Sequence, residues 1–172
     1  MNGQVFAGTV DGTCVLKLVG SLRCLEPDSI AQSEAMNAFL DQCFASGEFH
    51  HFLVDLSETE AIDSTNLGVI ARIAQHTRAH DLPKASIVTT RPEITRLLST
   101  MGFDYVFIII DHPVRVPKSI EELPSVGPTD IEIARLVLRA HEALSALNEH
   151  NRTAYKLVVD LLRKELGESQ ST

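Results

Sequence analysis

Residues 52–70 read FLVDLSETEAIDSTNLGVI. Phe52, Leu53 and Val54 lie in a short, mostly apolar run, His51 to Leu56, of the kind that forms a central buried strand. A loop carrying Glu58, Glu60 and Asp63 is expected next. Ser64, Thr65 and Asn66 then open a helix predicted to run to about His80, with Leu67, Val69 or Ile70, Ile73 and Ala74 as its apolar stripe. Strand, acidic loop and helix in that order form the repeating unit of an α/β sheet, whose strand-end loops carry function.

Working outward, Val5 to Val10 and Thr13 to Val19 read as a hairpin around Asp11-Gly12, both of which can adopt positive φ. Pro27-Asp28-Ser29 opens a helix, with Ile30, Met36, Phe39, Leu40 and Phe44 on its apolar side and Gly47 as its stop. Ala85 to Thr89 is a strand, Pro92 to Met101 a short helix, and Tyr105 to Ile110 a last strand. Residues 1–111 thus form one α/β domain with the order β-β-α-β-α-β-α-β, a mixed sheet with helices packed on it.

Residues 112–127 hold Pro113, Pro117, Pro124 and Gly127 and are predicted to be a linker with at most a helical turn. Residues 128–167 form a C-terminal helical extension, begun by Thr129 and Glu132 at capping-box spacing. Asn148 to Thr153 has no apolar residue, so the extension is one helix about 55 Å long or a hairpin. The absence of Gly and Pro there favours one helix. Its apolar residues fold back on the domain or meet a second copy. The near-heptad run Ile133, Ala140, Leu147, Ala154, Leu161 fits a homodimer seam. Residues 168–172 are expected to fray.

The charge balance, 23 acidic against 15 basic residues, and the lack of a Lys/Arg cluster argue against nucleic acid. No run approaches the roughly 20 apolar residues of a membrane span, and Met1 to Gln4 does not begin a signal peptide. Cys14, Cys24 and Cys43 are odd in number and none form C-x-x-C, which favours reduced thiols and a cytoplasmic protein. His76 and His80 share a helix face, but Thr77 stands where a zincin needs Glu. His141 and His150 are expected on the polar face of the extension. No nucleophile elbow, Walker loop or dinucleotide glycine pattern occurs. The expectation is a protein that is not an enzyme, with no catalytic residue, metal or cofactor.

Asp63 or Ser64 at a helix start is ordinarily an N-cap. A hydroxyl at such a place can also accept phosphate, whose charge suits the positive helix end. Here it would add about −1.5 to −2 charges beside Asp63, Glu60 and Glu58.

Leu53-Val54-Asp55-Leu56 followed by Ile62-Asp63-Ser64-Thr65-Asn66-Leu67-Gly68 resembles the signature of STAS domains. More narrowly, it resembles bacterial anti-sigma factor antagonists, over about residues 4–111. The resemblance implies a phosphoacceptor at Ser64, with Thr65 as second choice. It also implies a partner surface of Glu58, Glu60, Asp63, Ser64, Thr65 and Asn66. The implied partners are an anti-sigma factor with serine kinase activity, bound when Ser64 is unphosphorylated, and a PP2C-type phosphatase that resets the cycle. The alternatives are a STAS scaffold for another regulator, such as a response-regulator phosphatase or second-messenger enzyme, and a small-molecule sensor. The usual pattern is Asp-Ser-Ser/Thr-Gly-Leu-Gly. Asn66 replaces its first Gly, and Asn tolerates the turn conformations expected there.

Overall fold

Gln4–Val10 (β1) and Thr13–Leu22 (β2) pair antiparallel in the computed structural model, which describes residues 2–25 and 27–168. Asp11 and Gly12 turn the hairpin at φ 46° and 77°, the left-handed geometry that matches strand twist. Pro27–Ser46 (α1) leads to His51–Ile62 (β3), Ser64–Ala79 (α2), Ser86–Val88 (β4), Pro92–Thr100 (α3), Phe103–Val106 (α4) and Ile108–Ile110 (β5). Glu121–Glu122 (β6), Asp130–Ser145 (α5) and Glu149–Glu165 (α6) complete the chain.

The sheet order is β5-β4-β3-β2-β1-β6. β2, β3, β4 and β5 run parallel, and β1 pairs antiparallel with β2 and β6. Buried Leu16, Leu18, Val54, Leu56 and Ile87 fill the centre. α1 packs on β1 and β2, and α2 lies on β3 beside α1. α5 lies on both helices and α6 packs on α5.

Three expectations are corrected, and the alternative left open for the extension is decided. β3 continues to Ile62, so Ser57 to Ile62 is strand, with Glu58 to Ile62 paired to Val19 to Leu22 through two register shifts that each leave an extra residue in β3. Its alternation leaves Glu58 and Glu60 exposed and Thr59 buried. Tyr105 to Ile110 is not one strand. Gly102, at φ 81°, starts the turn α4, which buries Phe103 and exposes Tyr105 before β5 begins. The segment 112–127 contains β6, which covers part of β1's edge. The extension is a hairpin of two helices. Asn148 is extended (φ −164°, ψ 169°) and its side chain accepts from the Asn151 amide, so an Asn N-cap restarts the chain without Gly or Pro. The heptad-like seam is thereby broken. Of the expected frayed tail, residues 169–172 lie outside the described residues.

Leu136, Ala140, Ala143 and Leu144 of α5 join the same apolar core as the sheet. α2 is consequently buried on nearly every side, from Thr65 to Ala71 and again at Ile73, Ala74 and Thr77. A helix apolar all round needs partners on two faces. Here the sheet supplies one and α5 the other.

Candidate functional site

The site is the junction of β3 and α2. Asp63 is the N-cap: its Oδ1 accepts from the Asn66 amide at 3.0 Å and its Oδ2 from the Cys24 amide at 2.6 Å. One carboxylate therefore ends β3, starts α2 and ties down the chain after β2. Ser64 is the first helical residue, half-buried, at the helix end where backbone N–H groups favour anions.

Asn66 and Thr65 are not surface residues. Asn66 is fully buried and Thr65 nearly so. Asn66 Nδ2 donates to Asp63 Oδ1 at 3.0 Å and to the Leu22 carbonyl at 3.3 Å, while its Oδ1 accepts from the Ser33 hydroxyl at 2.8 Å. Asn66 thus sits in ordinary helix as a hydrogen-bonding hub, and no turn conformation is required of it. Of the six residues expected on the partner surface, Thr65 and Asn66 are thus buried. Glu58 and Glu60 are exposed on β3, and Glu58 pairs with Lys17.

His141, expected on a polar face, is instead buried on the side of α5 that meets α2. Its Nδ1 lies 2.8 Å from the Val137 carbonyl and its Nε2 lies 3.0 Å from Ser64 Oγ. A carbonyl only accepts, so Nδ1 carries the proton. For the neutral ring Nε2 is then the acceptor of the Ser64 hydroxyl. The Tyr155 ring of α6 meets the imidazole edge-on at 5.0 Å. Four residues along α2, Gly68 lets the helices touch: a Cβ there would lie 2.2 Å from the Ala140 carbonyl oxygen.

Sequence reasoning missed His141 as Ser64's neighbour. A signal was present in α2 itself: both Val69 and Ile70 fit the apolar stripe, and Gly68 interrupts the remaining face with a residue suited to close helix approach. Cys24 flanks the site, but burial pushes its thiol up to about 11, so it stays protonated and a poor nucleophile near neutrality. His76 is stacked between Phe44 and His80, and burial lowers its proton affinity. Among the described residues no group of three His, Cys, Asp or Glu side chains could hold a metal, and no helix is long and apolar enough to cross a membrane.

Solved structures share this architecture. The anti-sigma factor antagonist SpoIIAA in its unphosphorylated form matches with a TM-score of 0.51 at 14% identity, over 64% of this chain and 89% of that one. The NMR structure of the protein TM1081 matches with a TM-score of 0.50 at 23% identity, over 61% and 78%. At such identities the likeness is one of fold. No curated protein matches the chain. The STAS domain family model matches residues 7–120, well over half of the sequence, taking in β2 to β5, α1 to α4 and the Asp63–Ser64 junction and stopping before α5. The chain belongs to the STAS domain family.

Proposed function

We propose that this protein is an anti-sigma factor antagonist, a partner-binding switch set by phosphorylation of Ser64. The observation that carries the reading is the placement of Ser64. It is the first residue of α2, behind an Asp N-cap, in a STAS chain similar in fold to an antagonist whose structure is of its unphosphorylated form. In the proposed cycle a partner serine kinase passes the γ-phosphoryl group of ATP to Ser64 Oγ. ADP leaves and the hydroxyl proton goes to a base. Water delivered by a PP2C-type phosphatase later cleaves the ester. The machinery belongs to the partners, so this chain needs no catalytic residue. The added charge beside Asp63 weakens the partner contact by repulsion and desolvation. The unphosphorylated form holds the anti-sigma factor, and the phosphorylated form lets it go.

Co-expression with the cognate anti-sigma kinase, followed by peptide mass spectrometry, should find phosphate on Ser64 in preference to buried Thr65. Ser64→Ala should bind the anti-sigma factor constitutively and Ser64→Asp poorly. Equal binding by both variants and wild type would remove the switch.

A second reading, a STAS scaffold for another regulator or a homodimer through the hairpin, is favoured by Leu157 and Leu161. They sit one turn apart on α6, 70% and 57% exposed. Leu157→Glu with Leu161→Glu should then abolish association in sedimentation or pull-down experiments, and would leave it unchanged if the first reading suffices.

A further inference from the structure

Ser64 does not present a free hydroxyl. Its Oγ is held at 3.0 Å by His141 Nε2, and the imidazole is locked from behind by the Val137 carbonyl at 2.8 Å and buried to 6% exposure. Ser64, Gly68 and Arg72 are spaced four apart and fall on one stripe of α2. The first two meet the hairpin directly, and the third is linked to it through α1. Ser64 bonds His141, and Gly68 abuts the Ala140 backbone. Arg72 pairs with Asp41 of α1, whose other oxygen faces Arg139 of α5 at 3.5 Å. The far end of the hairpin is fastened to the body by polar bonds, with Asn151 Nδ2 donating to the Met101 carbonyl at 3.0 Å. Between body and hairpin run residues 123–129, with no secondary structure and with Val126 and Gly127 exposed.

We propose that the α5–α6 hairpin is an intramolecular cover over Ser64 and the adjoining stripe of α2, and that a kinase or binding partner reaches Ser64 only when α5 lifts away. The proposal rests on the reading of Ser64 as phosphoacceptor and adds its regulation. A phosphate on Oγ would remove the hydroxyl proton that Ser64 donates to His141 Nε2 and add bulk and charge beside the buried imidazole, so phosphorylation and docking of the hairpin oppose one another. The coupling is reciprocal at equilibrium: whatever holds α5 down disfavours the phosphorylated state, and phosphorylation disfavours the docked one. A partner that binds the uncovered stripe shifts the same equilibrium toward the open state.

The test uses the full chain and needs no identified partner. Ser64→Cys places a thiol at the site, and iodoacetamide modification of that peptide is followed by mass spectrometry. Adding Gly68→Ala sets a methyl group against the Ala140 backbone. Alkylation at position 64 should then rise about tenfold or more. Amide exchange should rise together in residues 64–70 and 136–144, while Val54 to Leu56 stays protected. Equal alkylation with and without Gly68→Ala overturns the cover. Should Gly68→Ala also deprotect β3, Ser64→Glu in the otherwise native chain carries the test. Exchange in 136–144 must rise above wild type, and wild-type protection there overturns the proposal. The reading of Ser64 fails separately. If the cognate kinase leaves Ser64 unmodified even in Gly68→Ala, the phosphoacceptor is wrong although the cover stands. If wild type and Gly68→Ala are phosphorylated at one rate, the cover is wrong although the phosphoacceptor stands.

Discussion

The STAS body and the C-terminal hairpin are joined in one core but held by different means. Body strands interlock large aliphatics: Leu16 of β2 faces Val54 of β3 in register, both almost wholly buried. The hairpin adds Leu136 and Leu144 to that core, but it meets α2 most closely where Gly68 abuts Ala140, and polar ties hold it to Ser64 of α2, to the Met101 carbonyl and to Asp41 of α1. Large interlocked side chains favour one arrangement, because any displacement opens voids. Small residues and polar tethers let two surfaces part with less loss of interdigitation. A fixed sheet with a removable cover is what a regulated surface requires, and local opening is drawn from the less stable parts of a fold.

The contrast can be broken most directly by the same substitution made twice. Leu16→Ala empties a central position that cannot collapse, so a loss of about 3–5 kcal/mol is expected, read as one cooperative shift in urea unfolding. Leu144→Ala, fully buried in α5, removes the same atoms. Its expected cost is nearer about 2–3 kcal/mol, because the hairpin can resettle. It should appear first as faster exchange in residues 130–165 with β3 still protected. If Leu144→Ala lowered the protection of β3 and α5 equally, hairpin and body would open as one unit and the contrast would fail.

Most of the body was legible because its strands and helices obey local rules. Asp11-Gly12 sets a hairpin, Pro27 and Gly47 bracket a helix, and alternating elements select a mixed sheet. The misses arose where a distant contact overrode a local pattern. Ser57 to Ile62 looks like a loop by its acids, but pairing with β2 makes it strand, its acids on the solvent side. Asn148 looks like a polar interruption within a helix, yet its side chain caps a new one. Asn66 resembles a turn residue replacing glycine, and only three-dimensional proximity to Ser33, Leu22 and Asp63 reveals a hydrogen-bond hub. His141 is 77 residues from Ser64 and could not be placed by spacing.

Between body and cover stands Asp63, and its removal sharpens how much of the junction belongs to the body. Asp63→Ala removes the α2 cap and the tie to the Cys24 amide, at an expected cost of about 2 kcal/mol in urea unfolding. Exchange should rise at residues 22–25 and 64–67 and remain unchanged in α6. The effect depends on a carboxylate. A loss confined to the hairpin would instead mean that the cap serves the cover.

The smallest effect is expected where the two parts meet through exposed charge. Arg139 reaches Asp41 at 3.5 Å, but its side chain is 54% exposed and Asp41 is already paired with Arg72. Two exposed side chains in water gain little from one another, and the entropy of holding them cancels much of that. Arg139→Ala should therefore cost less than about 0.5 kcal/mol in unfolding, with the difference vanishing in about 1 M salt as screening shortens the electrostatic range. The same variant should raise alkylation of the thiol introduced by Ser64→Cys by no more than about twofold, because the Gly68–Ala140 approach and the Asn151–Met101 bond remain. A salt-sensitive loss several times larger would place the hairpin's hold in the Asp41 charge node rather than in helix contact, and the cover would then respond to ionic strength as strongly as to Ser64.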